Sequence, residues 1–155
     1  MEIELYDDQR RRQFEDMFVN YFTLDFHAPF SEAMIRSDIV PKYVDLSVRG
    51  IAPLLMAFED GEPIGFINFQ IDSEASNWNE RPGWGMIREL HVAQAWRRRG
   101  VGSVLADIAT RVMKESGATR AYLTTEDTFD FWEALGWEKT DEMAPNGGIV
   151  MEKTL

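Results

Sequence analysis

The order of apolar and polar positions along the chain predicts alternating strands and helices. The clearest segment is an apolar strand at 86–92, followed by a loop rich in arginine and glycine at 93–100. Beyond the loop, apolar residues recur at the i, i+3, i+4, i+7 spacing of one buried helical face. They are Val101, Val104, Leu105, Ile108, Ala109, Val112 and Met113. Gly117 suits the left-handed position that follows a helix C-terminus.

The first half of the chain predicts one strand, two helical regions and a hairpin. Residues 2–6 alternate charged and apolar positions, as a strand does, and an aromatic stripe at helical spacing follows them. Short helical pieces are expected within residues 31–48. Two apolar runs, 54–59 and 64–72, flank a turn sequence and predict a hairpin. Gly65 in the second run indicates a bulge or a close backbone approach.

The second half completes an alternating order of elements. A polar loop at 73–84 contains Trp78 and Trp84, which either bind a substrate or pack over the sheet edge. After the amphipathic helix, the pattern predicts a strand at 121–125, a short helix and two final strands. The predicted order is β-α-α-β-β-β-α-β-α-β-β, in one domain over residues 1–155.

The sequence Arg97-Arg98-Arg99-Gly100-Val101-Gly102-Ser103 predicts an anion-binding site where the amphipathic helix begins. The first N–H groups of a helix have no intrahelical partner, and the helix dipole makes this end partly positive. Glycines leave the backbone open to a phosphate or pyrophosphate. Leu105 replaces the third glycine of a dinucleotide fingerprint, and no Gly-Lys-Ser/Thr follows as in a P-loop. The alternative is a tight turn with solvated arginines.

Composition narrows the classes of function. The chain has 155 residues, of which 45% are hydrophobic, enough for a substantial core. The absence of cysteine excludes disulfides, thiolate metal sites and a cysteine nucleophile. Its two histidines, His27 and His91, show no metal-ligand spacing, so we expect no metal.

Charge and hydropathy narrow the classes of partner. The net charge of -11 argues against nucleic acid, because neutralising phosphates requires a basic surface. No apolar run approaches the roughly 20 residues that span a bilayer, so no membrane association is expected. The acidic N-terminal residues lack the features of a signal peptide, and we expect a cytoplasmic protein.

Two motifs resemble those of one enzyme superfamily. Arg97–Gly102 fits [Arg/Gln]-x-x-Gly-x-[Gly/Ala], and so resembles the acetyl-CoA motif of the GCN5-related N-acetyltransferase (GNAT) superfamily. Phe131-Trp132-Glu133-Ala134-Leu135-Gly136-Trp137 resembles its second hallmark, an aromatic pair followed by Glu-x-x-Gly-aromatic. The order of elements is also that of the superfamily. The resemblance implies an α/β (α+β) fold with a mixed, mostly antiparallel sheet of about seven strands flanked by helices.

The resemblance also implies a reaction and a cosubstrate site. The reaction is direct transfer of acetyl from acetyl-CoA to a primary amine of a small molecule or peptide. The backbone of Leu90 and Val92 would hold the pantetheine arm, and amides from 98 to 103 would hold the pyrophosphate. The implied cofactor-binding residues are Leu90, His91, Val92, Arg97, Arg98, Arg99, Gly100, Val101, Gly102 and Ser103. The acceptor cannot be read from the sequence, and the resemblance leaves a homodimer open.

Glu89 is the candidate general base. A lysine-like amine has a pKa of about 10.4 and is mostly protonated at neutral pH, so a base must generate the nucleophile. Superfamily members often carry a catalytic glutamate at this position of the central strand. The alternative is a carboxylate paired with Arg88 or another arginine. Strand alternation predicts that Glu89 shares a face with Ile87 and His91, and His91 is either a second base or relay or a structural histidine.

Two positions depart from the superfamily pattern. Trp132 replaces a tyrosine that often protonates the departing thiolate, and Glu126 replaces an asparagine. An indole N–H is not a useful acid. Tyr122 or a water would do this work, or no acid is needed, because a thiol has a pKa of about 8.5. A non-catalytic acyl-CoA-binding sensor or regulatory module of the same fold is therefore the second hypothesis.

Overall fold

Seven strands form one sheet in the computed structural model, which describes residues 1–155. They are β1 (Glu2–Leu5), β2 (Leu54–Glu59), β3 (Glu62–Ile71), β4 (Gly85–Val92), β5 (Arg120–Thr125), β6 (Glu138–Met143) and β7 (Ile149–Thr154). Their order across the sheet is β1-β2-β3-β4-β5-β7-β6. All neighbours are antiparallel except β4 and β5. The predicted mixed, mostly antiparallel sheet is confirmed.

The helices lie where the sequence pattern predicts them. They are α1 (Arg11–Asn20), α2 (Glu32–Met34), α3 (Val40–Val48), α4 (Val101–Glu115) and α5 (Phe129–Ala134). A π-helical turn, Tyr21–Asp25, extends α1, and a second one, Ile35–Ile39, joins α2 to α3. These joined pieces form two helical segments between β1 and β2, so the predicted order of elements is confirmed. None of the helices has the length and hydropathy to cross a bilayer.

Each face of the sheet has its own hydrophobic core. On one face, Phe14 and Phe18 of α1 pack against Phe66 of β3, with ring centroids 5.2 and 5.7 Å away. On the other face, α4 and α5 cover the middle strands. The sheet therefore separates the two elements that matter below, the α1–α3 layer and the helix α4.

The predicted amphipathic helix is present as α4, and its buried face differs slightly from the predicted one. The buried residues are Val101, Gly102, Leu105, Ala106, Ala109 and Met113. Val104 and Val112, predicted to share this face, lie at its edge and are 39% and 37% exposed. The helix ends before Gly117, whose φ of 101° is the predicted left-handed conformation.

An extra residue in β4 reverses the expected alternation of faces. Asn68 pairs with Glu89, but its neighbour Phe69 pairs with Ile87, so Arg88 has no partner of its own. Such a bulge shifts the following side chains to the other face. Ile87 therefore lies in the core beneath α4, whereas Glu89 contacts the α1–α3 layer. The expectation that Ile87 and Glu89 share a face is wrong for this reason.

The second half of β4 has a strand partner on one side only. The parallel strands β4 and β5 pair at Gly85–Ala121 and Met86–Tyr122, and then separate. On the other side, β3 stays paired with β4 up to Val92. Gly65 of β3 makes the predicted close approach, since a Cβ there would lie 2.7 Å from the His91 carbonyl oxygen. The result is a gap in the sheet that faces the start of α4.

Phe14 offers a test of the core on the α1 face. Its side chain is fully buried against the rings of Tyr6, Phe18 and Phe66. Phe14→Ala leaves a cavity, so we expect the free energy of unfolding to fall by about 3–5 kcal/mol. Val48→Ala, on exposed α3 surface, should change it by less than about 0.5 kcal/mol. Urea denaturation measures both, and equal losses would contradict this packing.

Candidate active site

Two tyrosine hydroxyls hold the Glu89 carboxylate. Tyr21, at the end of α1, donates to Oε2 at 2.5 Å, and Tyr43 of α3 donates to Oε1 at 2.8 Å. Arg88, the expected alternative partner, donates instead to Gln70 Oε1 at 2.7 Å and to Asn77 Oδ1. Both helical segments of this face therefore meet β4 at one carboxylate.

The surroundings of Glu89 favour proton uptake. Burial raises the pKa of Glu89, and the hydrogen bonds from Tyr21 and Tyr43 and the charge of Arg88 offset part of this rise. Burial, followed by the negative charge of Glu89, also raises the pKa of each tyrosine. The hydroxyls therefore stay protonated and continue to donate. A carboxylate whose pKa lies closer to neutrality is a better general base than an exposed one.

His91 belongs to a separate ionic cluster with Asp25 and Arg97. Asp25, the last residue of the π-helical turn, contacts His91 Nδ1 at 2.9 Å and Arg97 at 2.8 and 2.9 Å. Burial lowers the pKa of His91, so the ring is neutral at neutral pH. We assign its proton to Nδ1, because an ionised carboxylate only accepts. The ring packs against Tyr21 and Phe66, as a structural histidine does.

The three arginines of the loop have different surroundings. The Arg97 guanidinium pairs with Asp25, and its Nε donates to the Val92 carbonyl oxygen at 2.9 Å. Arg99 lies over the Trp96 ring, 5.0 Å from its centroid. Arg98 is exposed, has φ of 63° and makes no ion pair. A non-glycine residue with positive φ is uncommon outside tight, functionally constrained turns.

The start of α4 has the features of an anion cradle. Gly100 precedes the helix with φ of 85°, and no side chain caps the first N–H groups. A Cβ at Gly102 would lie 3.2 Å from the Phe131 ring, so packing as well as access requires glycine there. Ser103 is partly buried one position further along the helix. These uncapped amides open beside Val92, at the gap between β4 and β5.

The two side chains at which a general acid is expected, Trp132 and Tyr122, lie away from the gap between β4 and β5. Trp132 is buried and packs against Phe131 and Trp137. Tyr122 is also buried, donates to Asp72, and lies where β4 and β5 are still paired. Burial and the hydrogen bond to Asp72 raise the pKa of Tyr122. Neither side chain is available to protonate a group in the gap.

The tryptophans of the 73–84 loop pack rather than line a site. The Trp78 indole donates to the Tyr122 hydroxyl at 2.9 Å. Trp84 lies beneath the guanidinium groups of Arg81 and Arg120, 4.8 and 4.6 Å from its ring. These contacts fix the loop against β5 and β7. The packing alternative for both tryptophans is confirmed.

The sequence patterns did not single out Tyr21, Tyr43 or Asp25 as site residues. Tyr21 belongs to the aromatic stripe that follows the first strand, and it packs in the core on that face. Its hydroxyl was a usable signal, since a buried tyrosine among phenylalanines generally requires a polar partner. Asp25 and Tyr43 carried no such signal.

No group of three or more His, Asp or Glu side chains gathers as metal ligands do.

Similarity to known proteins identifies the family. The sequence model of the Acetyltransferase (GNAT) family matches residues 11–137 of the chain. The chain belongs to this GNAT acetyltransferase family. A mycothiol acetyltransferase from Mycobacteroides abscessus is 30% identical to this GNAT protein over 117 residues, or 75% of the chain. The chain spans about a third of the length of that relative, 34%.

Solved structures show the same fold over the whole chain. The ribosomal-protein-alanine N-acetyltransferase of Brucella melitensis has a TM-score of 0.78 at 12% identity, with 100% of both chains covered. The PaiA N-acetyltransferase of Thermoplasma acidophilum, solved in complex with coenzyme A, has a TM-score of 0.74 at 18% identity, also with 100% coverage of both. The GNAT fold implied by the two sequence motifs is therefore confirmed.

The burial of Glu89 and its two hydrogen bonds act on its pKa in opposite directions, and burial dominates. We expect its pKa to lie above about 4.3, the ordinary glutamate value. Tyr21→Phe should raise it further, because the lost hydroxyl stabilises the charged form. Carboxyl ¹³C NMR on labelled protein measures both values, with Glu89→Gln identifying the signal. Tyr6→Phe, whose hydroxyl contacts Asp8 instead, is the control. A lower pKa in Tyr21→Phe would contradict the assignment.

Proposed function

We propose that the protein is an acetyl-CoA-dependent N-acetyltransferase for a primary amine, with Glu89 as the general base. The observation that carries this proposal is the partly buried Glu89 carboxylate between two protonated tyrosines. It lies on the strand that borders the gap in the sheet. The family and its coenzyme A complex support acetyl-CoA as the cosubstrate.

The residues along the gap fit the chemical groups of acetyl-CoA. The unpaired edge of β4 at Leu90, His91 and Val92 offers backbone groups to the amides of a pantetheine arm. The uncapped amides from 100 to 103 suit its pyrophosphate. Arg98 and Arg99 supply exposed positive charge beside them. Arg97 acts differently, because Asp25 already neutralises it.

The proposed reaction is a direct transfer. Acetyl-CoA supplies an activated acyl group as a thioester. Glu89 accepts one proton from the ammonium group, directly or through water, and later releases it to solvent. The freed amine forms a bond to the acyl carbon as the carbon–sulfur bond breaks, and the nitrogen then loses its second proton to solvent. The thiolate takes its proton from solvent, which requires little catalysis because a thiol has a pKa of about 8.5.

A non-catalytic acyl-CoA sensor is the alternative from a different class. It is motivated by the two sequestered acid candidates, Trp132 and Tyr122. A sensor would bind acetyl-CoA without any amine accelerating the release of the thiol. The Glu89 site favours the enzyme, because a sensor has no need of a carboxylate with a raised pKa beside the proposed acyl site.

Glu89→Gln separates the two functions. We expect kcat to fall by about 10²–10⁴-fold, the usual contribution of a general base, while the Kd for acetyl-CoA stays unchanged. Glu138→Gln, an exposed carboxylate on β6, is the matched control. In the unsubstituted protein, kcat/KM should fall as the pH falls through the raised pKa of Glu89, because only the carboxylate accepts a proton. Thiol release with a broad panel of amines provides the assay.

An unchanged kcat in Glu89→Gln would contradict the proposed role of Glu89 as general base. If the unsubstituted protein binds acetyl-CoA but no amine in the panel releases thiol, the sensor interpretation replaces the enzyme.

Arg98 tests the cosubstrate site independently of turnover. Calorimetry should show binding of CoA but not of NAD or ATP. Arg98→Asn keeps a residue that tolerates positive φ and removes the charge, so we expect about tenfold weaker CoA binding, or about 1.4 kcal/mol. Arg111→Asn, in the last turns of α4, is the matched control. Equal affinity of both variants would place the phosphates elsewhere.

A further inference from the structure

The exposed apolar side chains are concentrated in one segment. Ten large apolar residues are exposed, and four of them fall within residues 24–34: Leu24, Phe26, Phe30 and Met34. The segment contains the only two exposed phenylalanines, which are 57% and 41% exposed. Isolated exposed apolar residues need no explanation, but a contiguous group of them usually marks a binding surface.

This segment is connected to Glu89 through aromatic contacts. The Phe26 ring lies edge-on to Tyr21, with centroids 4.6 Å apart, and Tyr21 donates to Glu89. Phe22 lies between Phe26 and Phe30, at 6.1 and 6.3 Å. We call Phe22, Phe26 and Phe30 the aromatic wall. It extends from the proposed base to the surface of the protein.

The backbone holds the wall in place. The Phe26 N–H donates to the Tyr21 carbonyl oxygen, and the Ala28 N–H donates to the Phe22 carbonyl oxygen at 2.9 Å. These bonds fold the 26–30 loop back onto the end of the helix. His27, between them, has φ of 51°, so the turn keeps a conformation that non-glycine residues rarely adopt. The rings are therefore presented by an ordered turn.

The three rings of the aromatic wall are uncharged, so a charged ligand group must find its partner elsewhere. Of the carboxylates near these rings in sequence, Asp25 pairs with Arg97. Glu32 shares Arg36 with Glu15 and Asp16 and points into solvent. Behind Tyr21, Glu89 offers a carboxylate that has hydrogen bonds but no direct ion pair. A ligand that complements both the aromatic wall and the Glu89 carboxylate has a cationic amine beside an apolar group.

We propose that the acceptor is a primary amine that carries an aromatic or branched apolar group close to its nitrogen. The apolar group packs on Phe26 and Phe30, and the amine reaches Glu89 past Tyr21. This inference rests on the proposed acetyltransferase function and names its substrate class. The same chemistry occurs in arylalkylamines and in peptides with a bulky apolar N-terminal residue.

Paired amines test the proposal by thiol release. Phenethylamine and ethanolamine compare an aromatic with a polar group at the same distance from nitrogen. A phenylalanyl and a glycyl dipeptide amide make the same comparison for peptides, and so separate the two sources. We expect at least about tenfold higher kcat/KM for the aromatic member, a usual discrimination by an apolar contact.

Variants at Phe26 link that preference to the wall. Phe26→Ala should lower kcat/KM for the aromatic amine about tenfold more than for the polar one, and Phe26→Leu should restore part of the preference. Leu5→Ala, an exposed apolar residue at the end of β1, should leave the ratio unchanged. The ratio is a readout that a merely structural role of Phe26 would not move.

Three outcomes overturn the inference. Equal turnover of both members of each pair, or an equal loss for both in Phe26→Ala, removes the substrate class but leaves the acetyltransferase function intact. Sedimentation as a dimer that Phe26→Ala converts to a monomer, with an unchanged amine preference, assigns the wall to a second copy of the chain. Acetyl-CoA binding without acetylation of any amine removes the proposed function, and this inference with it.

Discussion

The extra residue of β4 at Arg88 determines which side of the sheet receives the Glu89 carboxylate. Without it, regular alternation would place Glu89 on the same face as Ile87, in the hydrophobic core beneath α4. With it, the carboxylate meets two hydroxyls on the opposite face. The same feature links the two N-terminal helical segments, because each donates one tyrosine hydroxyl to this carboxylate.

A partly buried carboxylate requires hydrogen-bond donors, and here the helices supply them at a low cost in conformational entropy. Tyrosine orients its hydroxyl with two side-chain torsions, and the rings of Tyr21 and Tyr43 are already fixed by packing against Phe18. The carboxylate thus remains hydrogen-bonded without a direct ion pair. An arginine partner would have held the charge more firmly and lowered the basicity that proton transfer requires.

Much of the fold could be predicted because it depends on periodicity and local signals. The amphipathic pattern of α4, Gly117 at its end and the loop glycines each act within a few residues. The register of β4 against β3 could not be predicted, since a one-residue bulge leaves no clear mark in an apolar strand. The role of Tyr43 also depends on a contact across 46 residues of sequence. Asp25 was missed for the same reason, because its partner Arg97 lies 72 residues away.

The separation of β4 from β5 has a thermodynamic consequence for the fold itself. It leaves an internal strand edge with backbone groups that no strand satisfies. A ligand that inserts there and binds only the folded chain adds RT ln(1 + [L]/Kd) to the free energy of unfolding, about 2.7 kcal/mol at a hundredfold excess over Kd. For a cosubstrate as abundant as a metabolic thioester, the stability of this protein inside a cell would follow the supply of that metabolite.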